Sequence, residues 1–375
     1  MADLKVYSAD SHLNEPPEIY ERLPKNYRHR APHVEIRDGK RYHVAEGQPP
    51  RPLEAPNPLT EDDKRRYWRE DDGEEVGRVF HRAGGADIAQ RLKDQDEDGI
   101  SGEVIYPHGT FNVFTSPDAG FQSALARVYN DWYHEIFGAH RDRFAVSAVV
   151  PTVEIADAIA EATRVAKLGF RSISIPIDVP RLPYNMPQYD PLWSAMEDLG
   201  VPLALHIFTE GPGANAATDE PTRQSPGQDL AFEVIDKASA MRPLCMLVAS
   251  GVLERHPKLR FVLVECGIGW LAWALQTLDQ MYEKRHMWIQ PKLKLRPSEY
   301  FKRQGAATFD DDAVGLQNLA VTGTDCLMWG NDYPHDEGTF PHSRKVIERI
   351  FKGVAPEAKA KIVGGNAARL YGFPG

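Results

Sequence analysis

"RFAVSAVVPTVEIADAIAEATRVAKLGFRSISIPI", residues 143–177, carries one full turn of the pattern from which the chain is built. Phe144–Val150 is apolar and β-branched at nearly every position, as a strand covered on both faces requires. Glu154–Lys167 then spaces its apolar residues three and four apart, the period of a helix with one buried face, and Gly169 supplies the stop. Phe170–Pro176 returns to a continuous apolar run. A strand, a helix and a second strand in this order read as a parallel crossover unit.

Working outward, similar runs recur at Leu4–Ala9, Gly102–Pro107, Val201–His206, Leu259–Glu265, Gln304–Thr308 and Leu327–Asn331. Helical patterns at Ala86–Asp98, Gly120–His140 and Pro191–Leu199 lie between them, the last followed by Gly200. Eight such strands alternating with helices over 375 residues predict an α/β chain, a single (β/α)8 TIM-like barrel rather than an open sheet. Two stretches interrupt the alternation. Residues 37–85 are rich in charge, proline and glycine, yet Tyr67, Trp68 and Phe80 favour an ordered insertion after strand one, or a lid, over a linker. Residues 208–229 form a long loop directly after the fifth strand.

The 44 basic and 54 acidic residues leave a net charge of −10. This argues against nucleic acid or an anionic membrane as partner, since both demand clustered Lys and Arg, and favours a small-molecule substrate. The N-terminus lacks a signal-peptide pattern, and no apolar run approaches the ~20 residues that span a bilayer, so a cytoplasmic location is expected. Cys245, Cys266 and Cys326 are odd in number and form no CxxC, which predicts buried thiols rather than disulfides or a thiolate zinc site.

The chemistry gathers at the strand ends. Asp10 and His12 close the first predicted strand, His206 the fifth, Glu265 the sixth and Asp332 the eighth, with His335 three residues further on. In a barrel these ends converge on one face, where active sites lie. Residues two apart on a strand share a side, so Asp10 and His12 can face one ion. Imidazole and carboxylate together suit Zn2+, Mn2+ or Fe2+. Each residue alone has a plainer reading. Asp10-Ser11-His12 can be an Asx-turn, His206 a core histidine, and Asp332 a cap; a carboxylate at the end of a buried strand, as Glu265 is, must find a partner.

The segments "SADSHLNEPPEIYERLP", "DEDGISGEVIYPHG", "VPLALHIF", "RFVLVECGIGWLAW", "MWGNDYPHDEGTFPHS" and "KIVGGNAARLYGF" resemble the amidohydrolase-related branch of the amidohydrolase superfamily. That branch contains aminocarboxymuconate-semialdehyde decarboxylase and related aromatic-acid decarboxylases and hydrolases. The resemblance spans nearly the whole chain. It implies a TIM-like barrel with one divalent metal at the C-terminal mouth, held by Asp10, His12, His206 and Asp332. Beside these, Glu265 reads as a further ligand or a proton relay. It also implies a homo-oligomer. The chain departs from the decarboxylase pattern in two places: the strand-one motif begins with Asp10 where many members have His or Glu, and Glu265 stands where that branch usually carries a catalytic histidine.

The expected function is therefore a metal-dependent hydrolase or non-oxidative decarboxylase acting on a small carboxylate-bearing substrate, with Zn2+ or Mn2+ as cofactor. Asp332 serves as ligand or general base, and His335 orients it. His108, Trp270 and Arg223 are the candidate substrate-binding residues. Two alternatives stand beside it. The ligand count suits a dinuclear iron or manganese oxygenase, which has analogues on this scaffold. A non-catalytic subunit of a hetero-oligomer with a structural metal is the other, its interface drawn from the aromatic stretch 129–137.

Overall fold

The computed structural model of the protein describes residues 4–53, 82–178, 182–211, 227–335 and 337–374. Its barrel strands are β1 (Tyr7–Leu13), β5 (Gly102–Pro107), β6 (Phe144–Val149), β7 (Ser172–Asp178), β8 (Leu203–Glu210), β9 (Phe261–Val264), β10 (Gly305–Phe309) and β11 (Leu327–Trp329). They form one eight-stranded sheet in that order, every paired neighbour parallel. This is the predicted (β/α)8 barrel.

The strands shift by a few residues from their predicted bounds, and the shift matters at the site. β1 runs on to Leu13 because His12 and Leu13 still pair with Tyr106 and Pro107 of β5. Both residues therefore lie inside the strand, Asp10 within an irregularity in register between Ser8 and Ser11 and His12 just past it. β8 continues beyond His206 to Glu210, whereas β9 and β11 stop short of Glu265 and Asp332.

Outside the barrel run α1 (Ile88–Asp98), α2 (Ala119–Phe137), α3 (Ile155–Leu168), α4 (Asp190–Leu199), α5 (Gln228–Lys237) and α6 (Leu271–Arg285). α3 and α4 end on Gly169 and Gly200 in the left-handed conformation, as their sequences predict. The aromatics of α2, Tyr129, Trp132, Tyr133 and Phe137, are buried between helix and sheet, so they serve the core rather than a subunit interface. Inside the barrel, Ala9, Ala145, Ala204 and Ala306 alternate with Tyr106, Val262 and Met328. The end away from the mouth is plugged by the C-terminus, where Phe373 stacks on Tyr7 and Tyr371 Oη meets Tyr106 Oη.

β2 (His33–Arg37), which runs up to the start of the predicted insertion, forms a small antiparallel sheet with β3 (Lys40–Val44) and β4 (Arg51–Pro52) inside it. Glu46, beside it, accepts from Arg30 and from Ser116, which tethers it to the segment that follows β5. Gly47 has φ of +83°, and a Cβ there would meet the carbonyl of Thr115 at 2.0 Å, so this contact demands glycine. Tyr67, Trp68 and Phe80 lie outside the described residues. Cys266 and Cys326 are buried, Cys245 is half-buried, and all three are free thiols. Among the described residues, no helix is long and apolar enough to cross a membrane.

Candidate metal centre and active site

The C-terminal ends of the strands bring Asp10, His12, His206, Glu265, Asp332 and His335 into one cluster. Nε2 of His12 and Nε2 of His206 lie 3.2 Å apart. Asp10 Oδ1 is 3.7 Å from the first and 3.6 Å from the second, and Asp332 Oδ1 is 3.4 Å from His12 Nε2. Glu265 Oε2 closes the ring 3.7 Å from His206 Nε2. Each of these side chains is buried, His335 excepted at the rim.

The ring orientations are set by the backbone. Nδ1 of His12 faces the Pro107 carbonyl at 3.1 Å, and Nδ1 of His206 faces the Ile207 carbonyl at 2.8 Å. A carbonyl only accepts, so each Nδ1 carries the proton, and the Nε2 of a neutral ring then presents a lone pair. Burial, reinforced by the neighbouring His335 charge, pulls the His12 pKa down to about 4, so that ring is neutral near pH 7. Asp10 Oδ1 and Asp332 Oδ1 are buried and accept no hydrogen bond from the described residues. Unpaired buried carboxylate oxygens are costly, and here they point at the same place as the imidazole lone pairs. The donor set N, N, O, O is complementary to a divalent cation of the Zn2+, Mn2+ or Fe2+ type.

A second pair of imidazoles sits beside the first. His335 Nδ1 donates to Asp332 Oδ2 at 3.0 Å, and His335 Nε2 lies 3.0 Å from His108 Nδ1. Burial opposes charge on His335, but the Asp332 carboxylate outweighs it and raises the pKa to about 9. Burial also raises Asp332, but the positive His335 and its hydrogen bond overcome it, holding the carboxylate ionised. Glu265 goes the other way. Burial and the negative Asp332 and Asp10 push its carboxyl well above the usual range.

Three strand-end residues near the cluster are left-handed without being glycine: Phe208 at φ 60°, Glu265 at φ 60° and Asp332 at φ 52°. Each such conformation costs roughly 1–3 kcal/mol, so it persists only where surrounding contacts impose it. Glu265 is held by its amide donating to Thr308 Oγ1 at 2.7 Å, and Asp332 by its amide donating to the Asp10 carbonyl at 3.0 Å.

Of the remaining candidates, His108 reaches the cluster through His335. Its amide donates to Glu15, which also receives the Gly109 amide and the Tyr133 hydroxyl. Trp270 packs on the outer core and donates from Nε1 to the Cys266 carbonyl at 2.8 Å. Arg223 lies outside the described residues.

Two participants escape the sequence reading. Lys237, the last residue of α5, brings Nζ to 3.8 Å from Glu265 Oε1. Burial opposes its charge, but the carboxylates of Glu265, Asp310 and Asp332 prevail and keep it an ammonium. Nothing local in "VIDKAS" marks this lysine. Arg91 on α1 is fully buried, and here a signal existed: Arg91, Asp94, Gln95 and Asp98 recur at helical spacing as a polar stripe, and that stripe is the buried one.

Comparison with known proteins bears on the family and the fold. The amidohydrolase family model matches residues 107–373. The gamma-resorcylate decarboxylase of Rhizobium sp. (strain MTP-10005) is 27% identical over 326 residues, covering 82% of this chain and 91% of the relative. An amidohydrolase structure from Mycobacterium avium subsp. paratuberculosis K-10 superposes with a TM-score of 0.77 at 18% identity, covering 99% of this chain and 100% of that one. The dihydroxybenzoic acid decarboxylase of Polaromonas sp. JS666, solved with bound manganese, superposes with a TM-score of 0.65 at 18% identity, covering 99% and 97%. The chain belongs to the amidohydrolase family.

Proposed function

We propose that the protein is a divalent-metal-dependent, non-oxidative decarboxylase of a small aromatic carboxylate. The observation that carries the reading is the convergence of His12 and His206 Nε2 with the unpaired Oδ1 atoms of Asp10 and Asp332. These residues would hold the ion, with Glu265 at its edge. The gamma-resorcylate and dihydroxybenzoic acid decarboxylases among its relatives support the substrate class. When bound, the ion supplies Lewis-acid polarisation of substrate oxygens.

The chain's own groups account for the rest. Lys237 is the ammonium nearest the cluster among the described residues, and it offers a seat for the substrate carboxylate, a role first considered for Arg223. Decarboxylation breaks the bond from the ring carbon to the carboxylate, releases CO2 and puts a proton on that carbon. Asp332 and His335 share a proton at 3.0 Å and stand where it can be delivered, with His108 behind them to restore it. The small sheet beside Glu46 is proposed to cover the mouth, a reading its tether to Ser116 supports. Exposed Trp273, Met287 and Trp288 favour self-association, and the free thiols favour a cytoplasmic setting.

One observation favours a second reading. His12, Glu265, Asp332 and His335 form a ligand group that overlaps Asp10, His12 and His206, enough for two ions and redox chemistry. The experiment that decides combines metal analysis of the purified protein with CO2 release from hydroxybenzoates under anaerobic conditions. About one ion per chain and oxygen-independent CO2 release support decarboxylation. Two iron or manganese ions with oxygen-dependent turnover support the oxygenase.

A further inference from the structure

The barrel has one weak seam. Among the described residues, β11 and β1 share no ladder, and their backbones meet in the isolated bridge between Ser11 and Tyr333. The proposed ligands straddle that seam, Asp10 and His12 on one side and Asp332 on the other. Ligand spacing there depends on whatever clamps the two sides together.

One such clamp is Arg91. Its Nη1 donates to the His12 carbonyl at 2.5 Å and its Nη2 to the Tyr333 carbonyl at 3.3 Å. Its Nε donates to Glu103 Oε2 on β5 at 2.7 Å, and the guanidinium carbon lies 4.7 Å from the centre of the Tyr333 ring. The Tyr333 carbonyl also accepts the His12 amide at 2.7 Å. One planar cation thus grips the peptides of His12 and of the residue next to Asp332 together. Arg91 is 0% exposed and Glu103 1%, and Gln95 Nε2 adds a second bond to Glu103 Oε2 at 2.7 Å. A lysine offers a point charge where the guanidinium offers a fork, so it cannot make all three bonds at once.

We propose that Arg91, fixed by Glu103, is the positioning residue that sets the distance between the ligands on the two sides of the seam. The inference rests on the metal reading above. Burial of a charge on this scale is explained when it organises a site, since a buried ion pair by itself adds little stability over apolar packing. Loss of outer-shell partners of metal ligands typically costs about 10–100-fold in affinity.

The test measures Mn2+ affinity by chelator competition and records the visible spectrum of the Co2+ form, for the wild-type chain, Arg91→Lys and Glu103→Gln. Arg164→Lys is the control. Arg164 makes a comparable pair with Glu161, beside α2 and away from the seam. The expected result is a 10–100-fold weaker Mn2+ affinity and an altered Co2+ spectrum in Arg91→Lys. Glu103→Gln shows a smaller loss of the same kind, and the control stays unchanged. Should Arg91→Lys fail to fold, Glu103→Gln, which keeps an acceptor for Arg91 Nε, decides alone. Wild-type-like affinity and spectrum in the folded variants overturn the proposal even if their melting temperatures fall. Absence of Mn2+ and Co2+ binding to the wild-type chain overturns the metal reading instead.

Discussion

Four histidines meet at the barrel mouth in two pairs, and the pairs are held differently. His12 and His206 are pinned through Nδ1 to backbone carbonyls, which leaves Nε2 as the outward atom. His335 is pinned to a carboxylate and touches His108 ring to ring. A backbone carbonyl fixes the tautomer of an imidazole and leaves its far nitrogen suited to a metal. A carboxylate stabilises the protonated ring and suits it to carrying a proton. The two pairs share Asp332, which faces His12 through Oδ1 and His335 through Oδ2.

The sharpest way to break this contrast is His206→Ala. Bound metal and turnover should fall together by more than the ~100-fold that outer-shell losses reach, while circular dichroism reports an intact fold. Metal content that survives would remove the carbonyl-anchored pair from the ligand set.

Glu265→Gln probes the residue between the pairs. It should retain the metal and lose about 100-fold or more in turnover, the scale of a proton-transfer group. Metal lost with activity would make Glu265 a ligand and favour the dinuclear reading. The variant keeps the shape of the side chain, so its left-handed backbone is undisturbed.

Lys237→Met sharpens the picture at the outer edge of the mouth. It should raise KM about 10–100-fold for a carboxylate substrate, with metal content unchanged, because a charge-assisted hydrogen bond is worth about 1.5–3 kcal/mol. An unchanged KM would move the substrate carboxylate elsewhere.

The smallest effect is expected behind the seam. Asp98 accepts the Ser343 amide and hydroxyl, and burial raises its pKa to about 6 despite them. A carboxyl raised in the folded state binds its proton more tightly there than in the unfolded chain. Its contribution to stability is therefore full below the unfolded value near 4 and is lost as pH rises through about 6. Asp98→Asn should flatten that part of the profile, as read from melting temperatures between pH 4 and 7. An unaltered slope would place the titration elsewhere.

The strands were legible because a parallel barrel buries both faces of each one. β5 spans Gly102–Pro107 as predicted, and β6 differs from its predicted range by one residue. Capping glycines marked the helix ends for a local reason, since only glycine enters the left-handed region without strain. The ligand-type residues were visible as acids and histidines at strand ends. Their mutual distances were not, nor was the pairing of one imidazole with a metal-facing role and another with a carboxylate, because both depend on contacts across the barrel. Arg91 escaped the sequence reading for an instructive reason. A charged stripe on a helix ordinarily faces water, and on α1 it faces the seam because the carbonyls of His12 and Tyr333 and the Glu103 carboxylate replace that water.

The sequence by itself determined the barrel, the set of acids and histidines at its mouth, and the resemblance to the amidohydrolases, all of which follow from local periodicity and short motifs. Only the tertiary structure decided that Lys237 faces Glu265, that Asp332 serves both histidine pairs, and that Arg91 spans the seam. Those arrangements join residues from opposite ends of the chain, such as His12 with Tyr333, and no local pattern reports which strands a closing barrel will bring together.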